Sequence, residues 1–230
     1  MRFSMLAAVA ALTTTLSAGA AQAATTIVVG GPGKPDAGDC APFSCAQRYQ
    51  QAFDSSLFAG EITIVGLTFY NTERSPGALA EGDYTVRFST GGGQVGALSN
   101  TFANNLGVVH DFFAGHISGP ASPSFTIAGA AFTYNPLTDG DLLLDITSNA
   151  PLAFSVYMDH RTEFAGFQRL VNFSNRATGS LGANQGLVTG FVVEEAIPEP
   201  STWALMILGF GAAGAMLRGA RRGARAHTGG

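Results

Sequence analysis

The sequence predicts an all-β fold, an antiparallel β-sandwich or jelly roll. An N-terminal signal helix and a single C-terminal transmembrane helix are expected to flank it. Three observations carry this expectation. Apolar and polar side chains alternate with period two through the middle of the chain. Turns rich in Gly and Pro separate the alternating runs. Charge is scarce: 12% of the 230 residues are charged and 46% are hydrophobic, whereas a typical soluble domain carries about 25% charged residues.

The first element is "MRFSMLAAVAALTTTLSAGAAQA". Arg2 precedes an apolar stretch from Met5 to Leu16, and Ala21-Gln22-Ala23 supplies the small residues of a cleavage site. Residues 1–23 read as a signal peptide cut between Ala23 and Ala24 by signal peptidase after engaging the secretion machinery. A retained membrane helix is the alternative, and the threonine triplet makes it a poor one.

Residues 24–196 read as the exported domain. "RYQQAFDSSLF" alternates through Tyr49, Gln51 and Phe53 and predicts a strand opening the domain, with a short helix as the alternative. "EITIVGLTFYN" starts with Ile62 and Ile64 in one phase and continues with Val65, Leu67 and Phe69 in the other. A phase change beside Gly66 predicts a bulge. "DYTVRFS" turns Tyr84, Val86 and Phe88 to one face. "GDLLLDIT" predicts a strand with Leu142, Leu144 and Ile146 inward, and "LAFSVYM" another with Leu152, Phe154, Val156 and Met158 on one face. "GLVTGFVVEE" predicts the last strand. Many short strands between such turns favour two packed antiparallel sheets.

The two cysteines, Cys40 and Cys45 in "CAPFSC", are even in number in a chain read as exported, which favours a disulfide. A ring this small contributes about 2 kcal/mol on chain-entropy grounds. Free or redox-active thiols remain the alternative. Metal binding lacks the four ligands zinc requires.

Candidate chemistry is sparse. His110 and His116 in "HDFFAGH" share a strand face but lie about 20 Å apart, too far to hold one ion on a straight strand. "MDHRTEF" groups Asp159, His160, Arg161 and Glu163, yet no nucleophile elbow accompanies them, so a polar loop is expected. Asp139, Asp141 and Asp145 in "TDGDLLLD" suggest either a turn with exposed carboxylates or a calcium-stabilised loop, without the EF-hand positions. "STGGGQVG" lacks the Lys and following helix of a phosphate loop and reads as a hairpin connection. Tyr70, Tyr134 and Tyr157 are candidate surface rings for stacking on sugars. No catalytic residue, cofactor or metal site is expected.

Charge is unevenly placed. Five of the 12 basic residues lie at the two ends and 15 of the 16 acidic residues lie between Ala24 and Ile197, so the middle carries about −8. That argues against a nucleic-acid partner. The arginines gather instead at Arg218, Arg221, Arg222 and Arg225, behind an uncharged run from Trp203 to Leu217. As a helix those 15 residues span about 22 Å, short of a hydrocarbon core of about 30 Å. Arginines after Leu217 would hold that end in the cytoplasm. Gly209, Gly211 and Gly214 weaken the helix but permit close approach of another membrane helix. Pro198 and Pro200 keep the preceding backbone extended.

Pro198-Glu199-Pro200, Trp203-Ala204, the Gly209-Phe210-Gly211 run and the arginine cluster together resemble the PEP-CTERM sorting signal, in its variant with Trp-Ala after the motif and a Gly-Phe-Gly core. The resemblance covers residues 197–230, with the motif at 198–200, the helix at 203–217 and the Arg-rich tail at 218–225. It implies a Gram-negative exporter and recognition by an exosortase, a cysteine protease-like membrane enzyme. A generic C-terminal tail anchor is the alternative. The stretch from "RYQQAFDSSLF" to "FTYNPLTDGDLLLDI" also resembles an exported β-sandwich domain common in that group, from which no ligand residues carry over. These readings lead to an expectation of a non-enzymatic surface or extracellular-matrix protein. Its expected partners are the secretion machinery, an exosortase, the inner membrane in passing and exopolysaccharide. A carbohydrate- or calcium-binding module and a secreted hydrolase are the competing expectations.

Overall fold

The computed structural model describes residues 24–31, 37–72, 77–121, 123–194 and 206–211. The expected signal helix, residues 1–23, lies outside them. Thirteen strands follow one another among the described residues: β1 (Ala24–Val29), β2 (Ala37–Asp39), β3 (Arg48–Phe53), β4 (Ile62–Tyr70), β5 (Gly82–Thr90), β6 (Val108–Ile117), β7 (Ser124–Tyr134), β8 (Leu142–Ser148), β9 (Met158–Arg161), β10 (Phe167–Asn172), β11 (Ser180–Ala183), β12 (Gly186–Leu187) and β13 (Thr189–Glu194). A single helical turn, α1 (Pro136–Asp139), joins β7 to β8. The strands form a four-stranded sheet, β1-β13-β4-β7, a six-stranded sheet, β11-β10-β3-β8-β5-β6, and a small sheet, β12-β9-β2. Their pairings are antiparallel.

The two large sheets face each other across one apolar layer. Tyr84, Val86 and Phe88 of β5 turn inward, as their alternation predicts. Phe191 of β13 meets Phe53 of β3 edge-to-face at 5.1 Å, and Phe88 stacks on Phe132 of β7 at 4.9 Å. Phe43 lies between Phe69 and Tyr84, one from each layer. The phase change in β4 is a bulge: the register skips Val65 between Ile64 and Gly66, so Ile64, Leu67 and Phe69 all reach the core.

Strand β8 is buried on both faces, because the connection between β5 and β6 folds back over the outer face of the six-stranded sheet. Leu143 packs there with Ala52 and Leu98. Beside it lies a polar row. The fully buried Asp145 accepts from Gln50 Nε2 at 2.9 Å and from Arg87 at 2.5 Å. Gln50 also donates to Phe102 O and accepts from Asn105 Nδ2. The expected turn with exposed carboxylates is therefore corrected. Asp139 accepts from Asn135 N and Asp141 from the backbone of Ser55 and Val95, while Asp145 is part of the interior.

Three further expectations need correction. "LAFSVYM" is not a strand before Met158. The backbone N–H groups of Ala153 and Phe154 go to Ser44 O, and that of Ser155 goes to Ser44 Oγ, instead of to a sheet neighbour. Phe154 adopts φ 50, which breaks the alternation and leaves Leu152 42% and Phe154 55% exposed, while Val156 and Met158 are buried. "MDHRTEF" begins as a strand with Asp159 and His160 buried, not as a polar loop. The last run is split, since the chain passes from the small sheet into the four-stranded one at Val188, whose N–H bonds Asp159 O.

The register sets the two ends of the molecule. Ala24 pairs with Glu194 and Val29 with Thr189. The domain's first strand thus begins beside the point where its last strand stops. Thr63, Thr133 and α1 lie at this end, called here the tail end. The far end holds the start of β3, the start of β5, the end of β6 and the loop after β8.

Three buried phenols make the core sensitive to alkali. Tyr49 donates to Gln51 Oε1, Tyr84 to Ala80 O and Tyr134 to Gly140 O. Burial raises the pKa of all three, that of Tyr84 to about 12. A raised folded-state pKa means stability fully present below the unfolded value of about 10 and lost as pH climbs through the folded one. Urea midpoints are expected to hold up to about pH 10 and to fall above it, with a shallower fall in Tyr84→Phe. The Arg87–Asp145 pair gives a second expectation. Arg87→Ala leaves a buried carboxylate short of its cation and should cost about 3 kcal/mol in denaturant titration, more than joint replacement of both partners by Met and Leu.

Candidate functional site

The sorting residues lie at the chain's C-terminal end, and the fold fixes where that end leaves. Glu194 closes β13, and Pro198 follows four residues later, within about 14 Å even if the link is fully extended. Ala24 is the first residue of β1 and pairs with Glu194. Ala23, Pro198, Glu199, Pro200, Trp203, Arg218, Arg221 and Arg222 lie outside the described residues. Gly209 and Gly211 fall in residues 206–211, which are helical with Met206, Ile207, Leu208 and Phe210 exposed. Nothing lies within 4 Å of where a Cβ would sit at either glycine. No helix among the described residues is long and apolar enough to cross a membrane.

Cys40 and Cys45 form a disulfide with Cα atoms 5.3 Å apart. The short ring encloses a cis Ala41–Pro42 peptide and presents Ser44, which is buried. Among the described residues, the grouping of potential metal ligands is Asp39, Cys40 and Cys45. Both sulfurs are committed to the disulfide and Asp39 is ion-paired with Arg169, so this group does not fit a metal.

The residues weighed for hydrolysis are dispersed. Asp159 accepts from Thr72 N at 2.9 Å and Thr72 Oγ1 at 2.6 Å, at the far end. Asp139 caps the turn after β7, at the tail end. His160 is buried with Nε2 3.9 Å from Asp39, and Arg161 Nε donates to Gly30 O. His110 packs on the Phe132 ring and pairs in register with Phe88, whereas His116 pairs with Asp83. Five residues of β5 therefore separate the two imidazoles, about 17 Å. The proposed surface rings also divide. Tyr134 is buried and excluded, Tyr70 is half-buried, and Tyr157 is exposed.

A far-end surface emerges that sequence reasoning missed. The loop after β8 is strapped to Ser44 and, through Ser155 Oγ, to Ala78 O at 2.6 Å. Gly77 must be glycine here, since a Cβ would sit 2.1 Å from Ser155 O. The strap runs on through Leu79, which bonds Gly119 O, to Glu81 and Asp83. His116 bridges those two carboxylates at 3.3 Å each. Beside it opens a groove of about 470 Å³ walled by Leu79, Phe113, His116, Pro120 and Phe125. The only sequence signals for this loop are Pro151, a poor strand residue, and the serine inside the cysteine ring.

A family model for the PEP-CTERM protein-sorting motif matches residues 196–222. No curated protein and no solved structure matches the chain significantly. The matched stretch takes in Pro198-Glu199-Pro200, Trp203, Gly209, Gly211 and three of the terminal arginines, so this chain carries a PEP-CTERM protein-sorting motif at its C-terminal side.

Proposed function

We propose that this is an exported, non-enzymatic protein of the cell surface or extracellular matrix, sorted by an exosortase through its tail and associated with exopolysaccharide. The carrying observation is the sorting motif at residues 196–222, which begins two residues after the last strand ends. Residues 1–23 serve as signal peptide, residues 24–196 as cargo and residues 197–230 as sorting signal.

The route follows from the chain's own chemistry. The secretion machinery carries the chain across the inner membrane, and signal peptidase frees Ala24. The apolar run from Trp203 to Leu217 then lodges in the bilayer, with the arginines behind it held on the cytoplasmic side. That run is brief and rich in Gly, so it holds the chain only in passing. Pro198 and Pro200 keep the backbone between domain and membrane extended, a form a protease cleft can take. The link from Glu194 is short, so the tail end of the domain faces the membrane and the far end points away. Cleavage near Pro198-Glu199-Pro200 releases the domain to its final site.

Of the competing readings, a carbohydrate-binding module is favoured by the displayed apolar side chains at the far end. The three aspartates of "TDGDLLLD" point to separate partners, which disfavours a calcium loop.

Intact-mass measurement of the protein from its own host tests the reading. The mature species is expected to start at Ala24 and to end near residues 198–200, and Glu199→Ala should shift the bulk of the protein to a membrane-bound form still carrying the tail. Mature molecules that retain Trp203 to Arg225 in the bilayer would overturn it.

A further inference from the structure

We propose that the far end is a polysaccharide-binding platform, built from residues 149–157, the strap 77–83 and the end of β6, and that it takes neutral or amino-sugar chains and not polyuronates. The biological setting rests on the exported reading above; the chemistry does not.

The platform has an apolar part that the fold holds out to solvent. Phe154 sits at φ 50, a conformation that residues other than glycine avoid. Four contacts impose it: Ala153 N and Phe154 N bond Ser44 O at 2.7 and 3.1 Å, Ser155 N bonds Ser44 Oγ at 2.6 Å, and Ser155 Oγ bonds Ala78 O at 2.6 Å. Val156, buried, pins the loop from behind. A mere connection between β8 and β9 would be served by glycine at this position. Here the strained backbone carries a large ring outward, with Leu152 and Tyr157 also exposed near it in sequence. Large exposed apolar side chains on a rigid support mark a contact surface.

Next to it lies a polar part. Asn149 and Asp83 exchange three hydrogen bonds, Asp83 N to Asn149 Oδ1, Asn149 Nδ2 to Asp83 Oδ2 and Asn149 N to Asp83 O. The Glu81 and Asp83 side chains are 74% and 71% exposed, and each holds one nitrogen of His116. Carboxylate oxygens accept several hydrogen bonds each, so acceptor capacity remains on both. The adjoining groove, about 470 Å³, is of the size of small-ligand sites and has half-buried Phe113 and Phe125 in its walls.

Ring faces beside exposed carboxylates and an imidazole suit a sugar chain. The apolar C–H face of a pyranose lies on a ring, and its hydroxyls donate to the carboxylates. Charge then selects among sugars. Residues 149–157 carry no charge, the flanking Glu81 and Asp83 are acidic, and residues 24–196 carry about −8. A polyuronate is repelled by this surface, as is an anionic bilayer. A second copy or an apolar peptide would have to cover Glu81, Asp83 and His116 and strip their water without replacing it.

Affinity electrophoresis of the full-length protein in mild detergent, in gels cast with hydroxyethyl cellulose, glycol chitosan or alginate, tests this. Retardation is expected with at least one of the first two and not with alginate. Phe154→Gly should weaken that retardation about tenfold or more while leaving Tm unchanged or higher, because glycine accepts φ 50 without strain. Asp83→Asn, Glu81→Gln should weaken it as well. Retardation by alginate alone, by none of the polymers, or undiminished in Phe154→Gly overturns the proposal. So does a Phe154→Gly variant whose only change is from dimer to monomer on a sizing column. Sorting is read separately by intact mass, so failure here leaves that reading standing and the reverse also holds.

Discussion

The packing of Phe191 is the constraint on which the rest depends. It lies on the last strand, yet that strand is an inner member of its sheet, between β1 and β4. Its ring touches Phe53, Phe58 and Phe88, three residues from three separate parts of the chain. The core is therefore closed by a residue only seven positions before Pro198. Because β13 is held on both sides, the chain can leave it only at the end of the sheet, next to where β1 begins. Core packing and the position of the sorting signal are thus one fact seen twice.

Local pattern made much of the fold legible. Tyr84, Val86 and Phe88 alternate because one face of β5 meets the core, and the phase change near Gly66 records the residue, Val65, that β4 has in excess of its neighbour β13. The pattern failed where backbone groups found partners outside a sheet. Ser44 takes three N–H groups from residues 153–155, and no periodicity in "LAFSVYM" encodes a serine more than a hundred positions away. Asp145 misled for a related reason. Carboxylates near a turn read as exposed, but the chain between β5 and β6 returns to cover this one, a tertiary event invisible in an eight-residue window. The sorting motif was legible because it is linear: its meaning lies in the order of its residues.

The two ends of the domain differ in kind. The tail end carries the paired first and last strands, with the sorting motif starting two residues beyond. The far end is held by a disulfide ring, a glycine that admits a carbonyl and a serine with several acceptors in use. Stiffening of that sort restricts a loop to one shape, which suits a surface meant to meet something of fixed form.

The polar row behind β8 bears on how the six-stranded sheet finds its alignment. Gln50, Asp145 and Arg87 stand directly opposite one another on β3, β8 and β5. Three leucines precede Asp145 on β8 and Ile146 follows it, so hydrophobic packing alone would tolerate sliding one strand past its neighbour by a two-residue step. Such a slip would set an ionised oxygen against hydrocarbon, with its guanidinium stranded one rung away. The charge is a poor source of net stability but an effective index mark, admitting one alignment of three strands and penalising the others.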